Sequence, residues 1–192
     1  MSFYREFAQP AMLALARAGN RGCRVDTKLR AQLRAQAEIS TDNTLGRIDR
    51  LVGRSVNPNS PKQVAELLYD DLKLPVQRKR GKGGQKGGVT TDEEAMKALR
   101  RLFPQHGELL SELLAFRGFS KEASRLGMEL EEREGESYFV TSYNATGTVT
   151  GRISSSKPIV RKGGNLQNQT RGPSRRIFVA REGMRFMKAD GS

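Results

Sequence analysis

The sequence predicts an α+β fold, in which a mostly helical part precedes a part made of short strands and loops. Apolar residues recur at helical spacing through most of the first 138 residues, whereas residues 137–143 have the composition of a strand. The charge changes at the same point. From Phe139 onward the chain has ten basic side chains and two acidic ones, Glu182 and Asp190. We therefore expect two regions that differ in structure and in charge.

The net charge of the whole chain indicates an anionic partner. The 192 residues carry a formal charge of +13 and have a pI of about 10.4, which is typical of proteins that bind nucleic acid. A single cysteine and a single histidine exclude a disulfide framework, a Cys-rich zinc site and most His-based chemistry. The chain has no long apolar run and no signal peptide at its N-terminus, so we expect a cytoplasmic location.

Two helices are predicted in the first part of the chain. The first covers residues 3–18, and Pro10 fits its first turn or a kink. Asp26 is a good N-cap for the second helix, which has apolar residues at helical spacing and extends to about Val52.

A short third helix begins at a capping signal. Ser60 can cap it, Pro61 suits the first helical position, and Gln63 completes a capping box. The helix is expected to end before Leu74 and to bury four side chains: Val64, Leu67, Leu68 and Leu72.

Residues 77–88 consist only of Gln, Arg, Lys and Gly, so they cannot contribute to a core. We expect a mobile basic loop, residues 76–90, that contacts nucleic acid. It does not match a phosphate-binding Walker A motif. The cations of this loop are Arg78, Lys79, Arg80, Lys82 and Lys86.

Two more helices complete the first region. Thr91 and Glu94 predict a second capping box, for a helix that carries Met96, Leu99 and Leu102. Beyond Pro104 a long helix is predicted over about 105–134, with an apolar stripe and an acidic end. The last predicted element of the chain is a strand at 184–190.

The β-and-loop region contains a motif suited to close contact with another chain. Gly151 lets a backbone approach closely, and the guanidinium of Arg152 can then reach a groove. The hydroxyls of Ser154 and Ser155 can bind phosphates. A polar loop with a solvated basic face explains the same residues equally well.

A second motif follows after the serines. The side chains of Asn165, Gln167 and Asn168 offer donors and acceptors that can contact base edges or sugars. Arg171, with two further arginines, supplies charge that neutralises phosphates. Asp190 is a lone carboxylate at the end of the predicted strand. By itself it suits a cap or a turn, because a hard-cation site needs more than one such ligand.

Taken in order, these segments resemble family A DNA polymerases, which include bacterial DNA polymerase I and related bacteriophage enzymes. The resemblance rests on TGRISSS at 150–156, NLQN at 165–168, the arginine cluster, and a strand that ends in Ala-Asp-x-Ser. Further similarities lie upstream, in the part that resembles the family's thumb: residues 59–63, 90–94, and Phe116-Arg117 with Lys121.

The resemblance implies an incomplete right-hand fold. Residues 1-55 would lead into the polymerase domain as helices, and 56-137 would form a helical thumb with the basic tip loop 76-90. Residues 138-192 would start the palm, through the segment called motif A. We expect the chain to be a fragment that is inactive alone.

The resemblance also implies a chemistry. The complete enzyme would extend a primer on a DNA template by nucleotidyl transfer, with two Mg²⁺ ions that Asp190 ligates. The partners would be primer–template DNA and deoxynucleoside triphosphates, and no oligomer is indicated. Arg152 would contact acceptors that every base pair presents in the minor groove.

The remaining roles concern duplex binding. Asn165, Gln167 and Asn168 would line the same duplex, and Arg171 would hold backbone phosphate. Arg117 and Lys121 lie four residues apart on one predicted helix face and would follow phosphates from the thumb.

Three positions depart from the bacterial pattern. Phe116 stands where the family usually has Tyr, residues 157–164 lengthen the gap before Asn165, and Gly191 replaces a bulky residue. The last two are similar to bacteriophage members, so we expect a phage-type enzyme that acts in the cytoplasm of a bacterial host.

Two other functions remain open on the sequence. A non-catalytic basic protein that binds nucleic acid would explain the charge and the Gly-Lys loop. A helical scaffold whose basic tip is only a solvated face is the third interpretation. A preference for primer–template junctions over single strands or RNA hairpins would separate the first possibility from the polymerase.

Overall fold

A computed structural model of the chain describes residues 3–80, 86–169 and 172–187; for Arg80 and Lys86 it describes the backbone alone. The chain divides into two compact units. We call residues 35–123 the central unit, and residues 1–34 together with 124–192 the terminal unit. Within the described residues, no helix is both long enough and apolar enough to cross a membrane.

The described helices are α1 (Gln9–Arg21), α2 (Thr27–Val52), α3 (Pro61–Ala65), α4 (Glu93–Leu102) and α5 (Gly107–Leu126). Two π-helical segments, Tyr4–Ala8 and Glu66–Asp71, precede α1 and follow α3. Short 3₁₀ segments occur at Pro104–His106 and Pro173–Ile177. The mixture of helix and small antiparallel sheets confirms the predicted α+β class.

The described strands are β1 (Cys23–Val25), β2 (Arg78–Arg80), β3 (Lys86–Val89), β4 (Glu131–Arg133), β5 (Glu136–Phe139), β6 (Ser142–Asn144), β7 (Ser154–Ser156) and β8 (Phe178–Val179). All of the pairings among them are antiparallel. Because the strands are only two to four residues long, most of the fully buried side chains come from helices.

The central unit encloses an apolar core that helices surround. Its fully buried side chains come from α2, α3, the following π-helical segment, α4 and α5; they include Ile48, Val64, Leu67, Leu68, Met96, Leu99, Leu110 and Leu113. Burial of each such side chain contributes about 1.5–3 kcal/mol relative to exposure. The predicted apolar stripes of these helices are therefore confirmed, except that Leu72 is only partly buried and Leu102 is 67% exposed.

Local capping signals placed two helix starts correctly. The Asp26 carboxylate accepts the N–H of Leu29 at 2.9 Å, so it caps α2. Ser60 Oγ accepts the N–H of Gln63 at 3.4 Å, and Pro61 begins α3. The Gln63 side chain accepts the N–H of Asn57, at 2.8 Å, so it satisfies a donor just upstream of the cap.

The predicted cap at Thr91 is wrong by one residue. The N-cap of α4 is Asp92, whose carboxylate accepts the N–H of Ala95 at 3.0 Å. Thr91 is instead buried, and its oxygens accept hydrogen bonds from Arg117. A long-range contact therefore decided between two adjacent residues that both favour caps.

The basic segment predicted as a mobile loop contains a hairpin. Arg78 pairs with Val89 and Arg80 with Lys86, and residues 81–85 lie outside the described residues. A Cβ at Gly87 would lie 2.2 Å from the Lys79 carbonyl oxygen. The glycines thus allow two strands to approach that a bulkier sequence would hold apart.

The terminal unit is organised by a four-stranded sheet in the order β4-β5-β1-β8. Cys23 pairs with Phe139 on one side of β1, and Val25 pairs with Phe178 on the other. Against the sheet lies a second apolar cluster, which consists of Val25, Leu126, Leu130, Phe139 and Ile177. The strand predicted at 137–143 is confirmed as β5 and β6.

The long helix predicted over 105–134 ends at Leu126. The side chain of Arg30 donates to the carbonyls of Leu126 and Met128, at 2.6 and 2.5 Å, and so satisfies the end of α5. The acidic residues beyond it form β4, which pairs with β5 through a two-residue turn at Glu134-Gly135. Both turn residues have positive φ, of 50° and 81°, as a tight hairpin requires.

The strand predicted at 184–190 is not found in its described part. Residues 184–187 have no regular structure, and residues 188–190 lie outside the described residues. The strand that joins the sheet in this region is β8, Phe178–Val179. Its phenylalanine packs edge to face on Phe139 at 5.9 Å between ring centres, which favours this earlier segment.

Candidate nucleic-acid interface

A concave basic surface lies in the central unit, along the β2–β3 hairpin and α4. It has a volume of about 900 Å³, and we call it the basic groove. Its charged lining residues are the cations Arg78, Lys79, Lys97, Arg100 and Arg101 and the carboxylates Asp92 and Glu94. A concave surface with excess positive charge concentrates polyanions.

One carboxylate of the basic groove is engaged in holding α4. Asp92 accepts the N–H of Ala95 and the hydroxyl of Thr90, the latter at 2.8 Å. These two hydrogen bonds, the backbone one first, hold the pKa of Asp92 below its usual value. The charge of Asp92 therefore stabilises the helix start, while Lys79 and Arg101 are exposed.

Arg117 is directed into the central unit. Its Nε–H donates to the Pro58 carbonyl at 3.0 Å, and its other nitrogens donate to the carbonyl and the hydroxyl of Thr91. Burial lowers the pKa of Arg117, and the nearby Asp92 carboxylate raises it. The guanidinium thus joins the segment before α3 and the start of α4 to α5.

Lys121 differs from Arg117 although the two share a helix face. Its side chain is exposed, and its charge helps to lower the pKa of Glu93, after the larger effect of Lys97. Of the two residues predicted to follow phosphates, Lys121 is the one that faces solvent. Phe116, beside Arg117, is 5% exposed and belongs to the core.

The base of the hairpin is fixed by a second buried contact. The hydroxyl of Tyr69 donates to the Thr90 carbonyl, and the Thr90 N–H donates to the Gln77 carbonyl at 2.9 Å. Burial raises the pKa of Tyr69. Together with Arg117, this contact positions the strand from which the basic side chains project.

In the terminal unit, residues from two predicted motifs meet in one cluster, which we call the amide cluster. Ser155 Oγ donates to Asn165 Oδ1 at 2.6 Å, and the same oxygen accepts the N–H groups of Gln167 and Asn168, at 2.9 and 3.2 Å. Gln167 Nε2 donates to the Ile153 carbonyl at 2.8 Å. Asn165 is therefore the acceptor around which the loop is built.

Around this centre, other predicted residues face solvent. Arg152, Gln167 and Asn168 are exposed, whereas Ser155 is 7% exposed. The backbone before β7 is held by Thr148, whose hydroxyl donates to the Arg152 carbonyl at 2.6 Å. The cluster thus presents one guanidinium and two carboxamides on a base of internal hydrogen bonds.

Three predicted site residues, Lys82, Arg171 and Asp190, lie outside the described residues, and only the backbone of Arg80 is described. In residues 3–80, 86–169 and 172–187, no three His, Cys, Asp or Glu side chains lie together as a metal site. Asp190 has a carboxylate, which is the type of oxygen ligand that Mg²⁺ prefers.

Sequence reasoning missed the basic face of α4. Lys97, Arg100 and Arg101 recur at three- and four-residue spacing and are exposed, whereas Met96 and Leu99 of the same helix are buried. This spacing is visible in the sequence, but the groove also requires the hairpin, whose pairing is not local. The contacts of Tyr69 and Arg117 with residues 90 and 91 had no sequence signal.

Residues 27–192 match the sequence model of DNA polymerase family A. The chain belongs to this family.

Curated relatives include thermostable DNA polymerase I of Thermus filiformis, which is 34% identical over 98% of this chain and 22% of that protein. The enzyme of Thermus aquaticus is 31% identical over the same shares. DNA polymerase I of Geobacillus stearothermophilus is 33% identical over 85% of this chain and 17% of that protein. The chain spans about a fifth of the length of these relatives.

A solved structure has the same fold. It is the POL domain of Pol1 from M. smegmatis in complex with DNA primer-template and dNTP. The two chains superpose with a TM-score of 0.75 and 29% sequence identity, over 95% of this chain and 31% of that one.

Proposed function

We propose that this chain forms the thumb and the beginning of the palm of a template-directed DNA polymerase, and that it holds primer–template duplex. The observation that carries the proposal is the family match over residues 27–192. The basic groove and the amide cluster support it, because both present groups suited to a nucleic-acid backbone or groove. Family membership favours this function over a non-catalytic basic protein.

Each surface takes a different part of the task. The basic groove and Lys121 neutralise backbone phosphates, which supplies affinity without sequence preference. Arg152, Gln167 and Asn168 contact the minor groove, where every base pair presents an acceptor. Asn165 and Ser155 hold those groups in register through their mutual hydrogen bond of 2.6 Å.

Arg117 acts through the protein in this proposal. Three of its donors are directed to Pro58 and Thr91, so it positions the basic groove and leaves Lys121 to meet phosphate. This refines the expectation that both residues follow the duplex backbone.

For the chemical step we propose that Asp190 ligates the two Mg²⁺ ions of nucleotidyl transfer, as the resemblance to the family implies. When bound, such ions activate the primer 3′-hydroxyl and stabilise the leaving pyrophosphate. The part that this chain contributes is one carboxylate next to a held duplex.

The test is Asp190→Ala in the polymerase that contains this chain. We expect loss of primer extension with duplex affinity unchanged, because a metal ligand is removed and no duplex contact is. Asp190→Glu, which keeps the charge but moves the carboxylate, should restore little activity. Extension by the alanine variant at a near-normal rate would contradict the assignment of Asp190.

A further inference from the structure

The loop between β7 and the amide cluster presents two adjacent apolar side chains to solvent. Ile159 is 101% exposed and Val160 is 93% exposed. Single exposed apolar residues are common on protein surfaces, whereas here two fully exposed apolar side chains are adjacent on one loop. We call residues 157–162 the apolar loop.

Ion pairs hold the apolar loop on both sides of its tip. Lys157 Nζ lies 2.9 Å from Glu129 Oε2. Arg161 Nε donates to Glu131 Oε2 at 2.8 Å, a second nitrogen bonds the other oxygen of that carboxylate, and a third donates to Asn20 Oδ1 at 3.0 Å. Such two-pronged arginine–carboxylate contacts fix geometry as well as adding energy.

A third attachment lies where the loop returns to the sheet. Gly164 N–H donates to the Val140 carbonyl at 3.0 Å. Gly163 has a φ of +147°, and a Cβ there would lie 2.0 Å from the same carbonyl oxygen. The backbone can come this close to Val140 only because residue 163 is glycine. The tip therefore projects from a fixed base.

The two carboxylates that hold the apolar loop, Glu129 and Glu131, are both paired with cations. Arg161, and next Arg133, lower the pKa of Glu131 to about 2, so this carboxylate stays ionised and bound to its two arginines. Lys157 likewise lowers the pKa of Glu129. Lys162, beside the tip, is exposed. Lys157 and Arg161 are paired with these carboxylates, so the exposed charge beside the apolar tip is that of Lys162.

The chain segment that contains the apolar loop connects two members of the amide cluster. Ser155 and Asn165 are joined at 2.6 Å; Ile159 is four residues from Ser155, and Val160 is five residues from Asn165. At the maximum reach of about 3.3–3.6 Å per residue, the tip lies within roughly 18 Å of the cluster. A duplex held by the cluster would be within reach of the tip.

From this placement we propose that Ile159 and Val160 form a wedge that enters the minor groove of the bound duplex and partly unstacks a base step. Proteins that bind and bend DNA at the minor groove insert apolar side chains between base steps in this way. The inference rests on the proposed function, since it requires that the chain bind duplex.

The test compares the wild type with I159S/V160S, using a primer–template duplex that carries 2-aminopurine near the junction. The fluorescence of 2-aminopurine rises when the base is unstacked, and anisotropy gives the affinity. We expect the wild type to brighten the probe and the variant to leave it dim. We also expect about tenfold weaker binding by the variant, because the apolar burial that it loses outweighs the cost of unstacking that it avoids.

Ile39→Ser is the matched control, because Ile39 is 60% exposed on α2; this variant should brighten the probe as the wild type does. If the wild type binds duplex and I159S/V160S brightens the probe equally, the wedge is wrong while the proposed function stands. An apolar tip without effect on DNA would then point to a protein partner. If the wild type binds no duplex at low salt, the proposed function fails first.

Discussion

The basic groove and the amide cluster both consist of polar side chains, but they use them in opposite ways. In the basic groove most cations face an open surface, and Asp92 is engaged in capping α4. In the amide cluster the central acceptor, Asn165 Oδ1, receives three hydrogen bonds from the protein itself. Charge left at the surface gives affinity, whereas internal hydrogen bonding fixes the direction in which a few groups point.

Arg117 gives the sharpest test of this contrast, because it is a cation whose hydrogen bonds, like those of the amide cluster, are made within the protein. Arg117→Met should lower the free energy of unfolding by about 3 kcal/mol, since three oxygens lose a charged donor. Arg117→Lys should recover only part of this, because one ammonium cannot replace the planar fork. Urea titration measures both variants.

Lys121→Met serves as the control for Arg117. It should change the free energy of unfolding by no more than about 0.5 kcal/mol, since Lys121 is exposed. If Arg117→Met is as mild as this control, Arg117 does not hold the central unit together.

Asn165 carries the next largest effect. Asn165→Ala should cost about 2 kcal/mol of stability, because the Ser155 hydroxyl and two backbone N–H groups lose their acceptor. Asn165→Asp keeps the oxygen and should retain most of the stability. Equal losses in the two variants, measured by thermal unfolding, would show that the Oδ1 atom is not the organising acceptor.

Binding of nucleic acid by the basic groove should depend on salt concentration, because its cations neutralise phosphates. Arg101→Gln should lower the slope of log affinity against log salt concentration by about 0.9, which is one phosphate contact. The control is Arg50→Gln, which removes the same charge at an exposed position of α2. An unchanged slope for Arg101→Gln would remove that residue from the interface.

The smallest expected effect concerns pH and the terminal unit. The pKa of Glu131 is about 2, below its usual 4.5. The stability that it contributes is therefore complete above about pH 4.5 and is lost as the pH falls from there toward 2. Glu131→Gln should be less stable than the wild type at pH 7, and the difference should shrink through that window.

The control for Glu131 is Glu182→Gln, at an exposed position. Because its side chain is exposed, this variant should change the free energy of unfolding at pH 7 by no more than about 0.5 kcal/mol. A Glu131 variant whose deficit stays constant down to pH 2 would contradict the paired carboxylate.

The sequence predicted well what neighbouring residues decide. Asp26 and Ser60 cap their helices as expected, because the cap and its N–H donor lie within three residues. The apolar faces of α3 and α5 follow from spacing alone. For the same reason, residues Asn165 to Asn168 could be recognised as one polar motif.

Errors occurred where distant contacts compete with local preference. The acidic segment after Leu126 is compatible with a helix, but Glu131 pairs with Tyr138 in a hairpin instead. Thr91 could have been a cap, but Arg117 binds its oxygens from α5. No spacing in the sequence indicates that Arg161 would reach Glu131. Such contacts depend on which elements meet in space.

The most direct test of the central claim is the substrate preference of the chain for nucleic acids. Equal strand concentrations of primer–template duplex, single-stranded DNA and an RNA hairpin should be titrated at one salt concentration. We expect the tightest binding to primer–template, because the proposal assigns the amide cluster to a minor groove and the basic groove to a duplex backbone. Equal or tighter binding to the single strand or the hairpin would contradict the account.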